Sequence, residues 1–403
     1  MRRDDPLDEW EWRFADLFMV GHEPPAERLA ELRAATHTFL DGVADHLDHP
    51  LPRRTWYDVH RWNVGSGVGL AVEDVPRAQA LYPRVIEAGG AGSRDIQETL
   101  LSLISQTEEP VSVPFWVGLL EYARPRDQFG QRRRLHALAG LARLVIRRAD
   151  PAALAALRAA MHHRREDIRA LAVHYLGRAL LYEEYTEEET PEETPPQWLP
   201  PEGSLDDTDL LVEDDAPDRT PKEARPPVPI APDILAELNE LAVSDPAFGP
   251  RFQARSLLRD AGHPVPLDNP DGVYAFKVSL ARAGVSRTIE LRSTQTLDDL
   301  HFTIQGAFEW DSDHLYTFYM TGEEDDLYAF ACPYEDEHPP WTDEAIIGEL
   351  GLVKGHSFGY LFDYGDNHWF TIKVADIRRE ADRGEYPRVV DKQGKAPEQY
   401  PEY

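Results

Sequence analysis

The chain has 403 residues, 42% of them apolar and 29% charged, with a formal net charge of −31. Such a length predicts about two to three domains, no apolar run approaches the roughly 18 residues of a membrane span, and the acidity disfavours generic polyanion binding. A single cysteine, Cys332, excludes an internal disulfide and a cysteine-based zinc cluster.

The opening stretch MRRDDPLDEWEWRF puts acids where a secretion signal needs an apolar core, which points to a cytoplasmic protein. Helical periodicity follows over Pro6–Met19 and Pro25–His46, with Leu29, Leu32, Phe39 and Val43 near one stripe. Asn63 to Gly69 (NVGSGVG) reads as a plain loop, because a phosphate cradle needs a preceding strand, a following helix and usually a lysine. From Pro114 helices recur: Arg132–Arg148, Pro151–Met161 and Glu166–Leu181. Ala137-Leu138-Ala139 returns as Ala170-Leu171-Ala172. Small residues at such a period resemble HEAT-type helical repeats, with an irregular bundle as the alternative.

These helices are rich in arginine. Arg132, Arg133, Arg134, Arg147 and Arg148 lie on one helix, and Arg164 and Arg165 precede the next. Together they form a candidate anion or nucleic-acid contact, since arginine forks suit phosphate. The competing expectation is a solvated face that offsets the chain's own acidity. Much of that acidity is local: Glu183 to Arg219 holds 15 Asp or Glu against one Arg, a net of −14. Residues 183–230 are poor in apolar residues and rich in proline, which predicts a disordered acidic linker. As a flexible coil it would span about 40 Å. Trp198-Leu199 and Leu210-Leu211 are apolar islands within it, either docking points or tolerated linker residues.

Beyond Ala231 two short helices are expected over Pro232–Ala242 and Arg251–Ala261. Strands follow over Tyr274–Ala281 and Ser286–Ser293 around a turn at Gly284. Thr296 is placed to cap a helix carrying Leu297, Leu300, Ile304 and Phe308. Further strands are expected over His314–Thr321 and Asp326–Pro333, a helix capped by Thr342 through Leu350, and a final hairpin in FGYLFDYGDNHWFTIKV from Phe358.

The stretches TLDDLHFTIQGAFEWDSDHLYTF, FGYLFDYGDNHWFTIKV and YPRVVDKQGKAPEQY carry a family resemblance. In order and spacing, Tyr274 to Tyr403 resembles the plasmid pRiA4b ORF-3-like family, with Trp310, His314, Phe318, the Asp363-Tyr364-Gly365-Asp366 run and Trp369 as its marks. The resemblance implies an α+β domain on a mixed or antiparallel sheet. It also implies company with mobile elements, some proteins of which carry resolvase-like labels, but no established reaction. Departures from it are Ile289-Glu290 in place of a Trp-Arg pair, Tyr316 in place of a second histidine, and an extra residue at Asn367-His368. A literal resolvase would need a nucleophile among clustered arginines, and few arginines are expected near the C-terminal tyrosines.

His314, Asp363, Asp366 and His368 are the candidate metal ligands, for which at least three side chains must converge. The alternative is that Asp366-Asn367 caps a turn through its own backbone. In that alternative Tyr360, Phe362, Trp369 and Ile372 are packing partners. Cys332 lacks an identifiable base, and no catalytic set is assigned. The organisation expected is therefore a helical, HEAT-like domain over 1–182, an acidic linker over 183–230 and an α+β domain over 231–403. The expected function is a non-enzymatic interaction or scaffold protein with a protein partner and no cofactor. The alternatives are a divalent-metal-dependent enzyme acting on nucleic acid, or a non-catalytic DNA-binding protein.

Overall fold

The structure, a computed structural model, describes residues 26–49, 56, 69–122, 129–182, 226–281, 284–334 and 340–400. The expected helix at Pro6–Met19, the acidic segment 183–225 with Trp198, Leu199, Leu210 and Leu211, and all but Gly69 of the glycine-rich loop lie outside the described residues. Two compact units divide the chain, Met1–Pro191 and Glu192–Tyr403.

The first unit is helical: α1 (Ala26–Asp48), α2 (Val75–Ala88), α3 (Ser93–Gln106), α4 (Val113–Glu121), α5 (Gly130–Arg148), α6 (Pro151–Ala160) and α7 (Glu166–Leu180). Asp150 caps α6 by accepting the Ala153 N–H at 2.7 Å, with Pro151 in the first turn where its missing donor costs nothing. The central helix α5 packs against α3, α4, α6 and α7. Its Gly140 lets Trp116 of α4 lie on the backbone, since a Cβ there would come within 2.6 Å of the indole Cε2. The Ala137–Ala139 and Ala170–Ala172 segments fall on α5 and α7, which pack directly together.

The second unit opens with residues that sequence composition assigns to the linker. The Val228 N–H donates to the Ala261 carbonyl at 2.9 Å, ahead of α8 (Pro232–Ser244) and α9 (Phe248–Asp260). Its sheet contains β1 (Val273–Leu280), β2 (Val285–Arg292), β3 (Tyr316–Tyr319), β4 (Ala329–Ala331), β5 (Ser357–Phe362), β6 (His368–Arg378) and β7 (Arg388–Gln393). The seven strands run in the order β4-β3-β5-β6-β1-β2-β7, every neighbouring pair antiparallel. Alternation assigns Tyr274, Phe276 and Val278 of β1 to the core with Phe318, Phe358, Tyr360, Phe370 and Ile372. Helix α10 (Leu297–Phe308) adds Leu297, Leu300, Ile304 and Phe308 to the same cluster.

Several expected elements differ. The strand at His314–Thr321 shrinks to β3, and Asp326–Pro333 splits into a short 3-10 turn, Asp326–Tyr328, and β4, because the Asp325 carboxylate holds the Leu327 N–H at 3.1 Å. Thr342 caps no helix: it is fully buried, its hydroxyl bonds the Tyr316 hydroxyl at 3.1 Å, and only the 3-10 turn Ile347–Glu349 follows. Strand β7, which the expected elements omit, adds an edge to β2.

The cap at Thr296 is present as a full capping box. The Asp299 N–H donates to Thr296 Oγ1 at 3.2 Å, and the Thr296 N–H donates to Asp299 Oδ2 at 3.0 Å. Thr296→Ala is expected to cost about 1 kcal/mol of second-unit stability, read as a lower urea midpoint in tryptophan fluorescence.

Candidate functional site

Among the described residues, the β5–β6 corner gathers three groups that could hold a metal ion. Strand β5 ends with Phe362 paired to His368, and the turn begins at Asp363, in the left-handed region at φ 56°. Asp363 Oδ1 accepts the N–H groups of Gly365 at 2.9 Å and Asp366 at 3.2 Å. The Asn367 N–H closes the turn on the Asp363 carbonyl at 2.7 Å. The backbone cap is thus supplied by Asp363 rather than by Asp366-Asn367, since a carboxylate reaches the N–H groups two and three residues ahead of it.

Leaving the strand at Asp363 ends the alternation that would separate the acids. One ligand atom from each of Asp363, Asp366 and His368 lies within 4.8 Å of the other two. The exposed Asp366 faces outward, while Asp363 is buried. Nε2 of His368 is buried and has no hydrogen-bond partner among the described residues. Its ring lies 4.7 Å from that of Trp310 and 5.9 Å from that of Tyr400. The fourth candidate, His314, touches this group from the side: its Nε2 is 3.7 Å from Asp363 Oδ2 and 3.5 Å from Asp313.

Tyr400, which the sequence did not single out, donates to Asp363 Oδ2 at 2.9 Å. Burial pushes the Asp363 carboxyl up, but the Asp366 N–H, the Tyr400 hydroxyl, the Gly365 N–H and His314 outweigh it and leave it below its ordinary range. Asp363 is therefore a carboxylate at neutral pH, the form a cation requires.

Trp369, adjacent to His368, is not a core partner of Tyr360 and Phe362. Alternation sends it to the other face, where it covers Gly359 and stacks beside Tyr319 with ring centroids 5.8 Å apart.

The arginine-rich helices are knitted to acids of their own unit. Arg132 pairs with Glu98 at 3.4 Å, Arg134 with Asp167 at 2.8 Å, and Arg165 with the same Asp167 at 2.9 Å. Arg143 and Arg147 converge on Glu108 at 2.9 and 3.7 Å, and Arg148 reaches the Glu108 carbonyl at 3.3 Å. Arg164 lies 3.7 Å from Glu121. Arg133 is buried, donating to the Tyr82 hydroxyl at 3.0 Å beneath the Tyr122 ring. These acids reduce the positive potential the arginines offer to an outside anion.

Two further polar groupings stand in the second unit. In the core, Gln305 donates to the Tyr360 hydroxyl at 2.7 Å, and that hydroxyl shares a hydrogen bond with His301 Nδ1 at 2.7 Å. Burial holds the imidazole neutral, its pKa down to about 3. His301 stacks on Tyr316, whose hydroxyl donates to Asp298. At the sheet edge Glu290 gathers Arg378 and Arg388, and the Arg388 and Arg292 guanidiniums lie 4.4 and 4.9 Å from the Tyr386 ring. The C-terminal unit therefore does bring arginines to a tyrosine, contrary to the sequence expectation. Glu290 and Asp382 neutralise Arg388 there.

No described helix is long and apolar enough to cross a membrane. Among curated proteins, the chain is similar to the uncharacterized protein y4hQ of Sinorhizobium fredii (strain NBRC 101917 / NGR234), 31% identical over 107 residues, 25% of this chain and 53% of that protein. The chain thus spans about half the length of the curated relative it matches. A solved structure, the protein of unknown function MM3350 from Methanosarcina mazei Go1, matches 32% of this chain and 73% of its own at 24% identity and a TM-score of 0.28. From residue 272 to residue 400, the part that holds the sheet and the corner, the chain matches the family described as Plasmid pRiA4b ORF-3-like protein.

Proposed function

We propose that this is an interaction protein whose C-terminal domain carries a divalent-cation site at the β5–β6 corner and whose helical unit serves as scaffold. The observation behind the site is the approach of Asp363, Asp366 and His368 ligand atoms to within 4.8 Å of one another. Two carboxylates and an imidazole form a mixed oxygen and nitrogen donor set of the kind that suits zinc or manganese. Bound there, the cation would fix the exposed half of the turn, whose inner half Asp363 already fixes through its backbone bonds.

The expected result is that purified chain binds Zn²⁺ or Mn²⁺ in a calorimetric titration, and that Asp366→Ala with His368→Gln removes the binding. These two side chains are the clean positions, since Asp363 also holds the turn. Titration showing no bound metal in the intact chain would end the proposal.

A second reading, a metal-dependent enzyme acting on nucleic acid, draws on the same triad. Three protein ligands leave coordination positions for water, and a bound metal lowers that water's pKa toward neutrality. It requires metal-dependent cleavage of a nucleic acid that Asp366→Ala abolishes.

A further inference from the structure

The face of the sheet opposite α10 holds an arrangement that packing does not explain. Lys277 of β1 and Lys373 of β6 stand directly opposite one another in the antiparallel register. Both are exposed, and neither has an ion-pair partner among the described residues. Like charges facing across a strand pair destabilise a sheet. Of the acids on this face, Asp391 shares their row from two strands beyond Lys277, while Glu290 and Asp376 in the next row are already taken, the first by Arg378 and Arg388 and the second by Lys354.

The next row of the same face, Ser279–Thr371–Gly359, lies two residues along the strands, about 7 Å away. Here the Trp369 ring lies over Gly359, where any Cβ would collide with it, so the indole rests against the backbone of the sheet. Tyr319 is nearly parallel to it, at 18°. Hydroxyls fill the space between rings and lysines: Thr371 and Ser357 are both exposed.

We infer that this open face binds single-stranded nucleic acid, with bases stacked on Trp369 and Tyr319 and the backbone phosphates held by Lys277 and Lys373. Flat aromatic rings on an exposed sheet suit unpaired bases, because a duplex keeps its base faces covered. The paired lysines supply the charge complementarity that an acidic chain otherwise lacks. The inference stands apart from the cation site, since no residue of the triad takes part.

The test is fluorescence anisotropy of a labelled single-stranded oligonucleotide with the full chain, alongside quenching of tryptophan emission. Two phosphate contacts on a single strand give a slope of about −1.4 in log affinity against log salt, roughly a 7-fold loss for a fourfold rise in salt. Screening of the chain's own acids works against this, so a steeper slope would contradict the assignment. Lys277→Gln with Lys373→Gln should remove the loss of affinity with rising salt and weaken binding. Trp369→Leu should weaken binding by about 10-fold. Relief of the facing charges should raise the melting temperature of the double lysine variant, so lost binding cannot be lost folding. No binding at low salt, or binding that survives the double lysine variant, overturns the inference. So does equal competition by an acidic peptide without bases, which would show that the face reads charge alone.

Discussion

Arg255→Ala is expected to lower the stability of the second unit by about 3–5 kcal/mol, the largest effect of any single polar substitution in it. Arg255 is 2% exposed in its side chain and donates in four directions. Nε bonds the Ala242 carbonyl at 2.8 Å, and Nη1 bonds the carbonyls of Pro266 at 2.8 Å and Gly348 at 3.2 Å. Nη2 reaches the Asp268 carboxylate at 2.9 Å. One guanidinium thereby joins the end of α8, the segment leading into β1 and the Ile347–Glu349 turn. Truncation strands the Ala242 carbonyl, whose bond is buried, and the Pro266 carbonyl, whose bond is half-buried, while the Gly348 carbonyl keeps the Asp268 N–H at 2.8 Å. Each lost partner carries a desolvation penalty. Arg255→Lys keeps the charge but cannot fill the fork, so it should recover only part of the loss. Arg255→Met fills the volume without any donor and should resemble the alanine variant. A chain of two units does not unfold in one step. The measurement is therefore hydrogen exchange resolved to α8, α9 and the sheet, with urea midpoints beside it. Unchanged protection in Arg255→Met would show that the carbonyls find other donors.

What was legible in the sequence was what is local. Thr296 and Asp299 are three residues apart, so the capping box could be read directly, and β1 and β2 announce themselves by alternation around Gly284. The candidate ligands at the corner are also neighbours in sequence, which is why Asp363, Asp366 and His368 stand out together from the sequence alone. The start of the turn was not legible, because it depends on Asp363 entering the left-handed region while its side chain holds two N–H groups ahead. Contacts made across the chain were invisible. Tyr400 completes Asp363 from 37 residues away, and β7 is recognisable as a strand only when β2 is there to receive it. Consecutive arginines conceal the same limit. Arg132, Arg133 and Arg134 look alike, yet a helix turns each toward a different neighbour, so one meets Glu98, one is buried beneath Tyr122 and one meets Asp167. Thr342 shows the converse, a residue with the right chemistry for a cap whose hydroxyl is claimed by Tyr316.

The second large effect is a pH dependence carried by Glu290. Its Oε1 accepts from Arg378 at 2.7 Å, and its Oε2 accepts from Arg388 Nε at 2.9 Å and Nη2 at 2.7 Å. The hydrogen bond from Arg378 lowers the Glu290 pKa most; burial opposes it, and Arg388 adds to the lowering. A carboxyl depressed in the folded state contributes its full stability above the unfolded value, about 4.3, and loses it as pH falls through the lower folded value. Glu290→Gln keeps the shape and removes the charge, at an expected cost of about 2–3 kcal/mol near neutral pH. The upper end of the range for buried pairs is not reached, because the Arg378 and Arg388 side chains are 39% and 31% exposed and regain water when the acid is lost. The gap between the native chain and the variant should begin to narrow below about 4.3 and close only below the depressed folded value, where protonated Glu290 and glutamine become equivalent. Urea midpoints of the second unit at neutral and acid pH read this directly. A gap of equal size at both would mean that the side chain acts through packing, and that the two arginines find their support in Asp382 and Tyr386 instead.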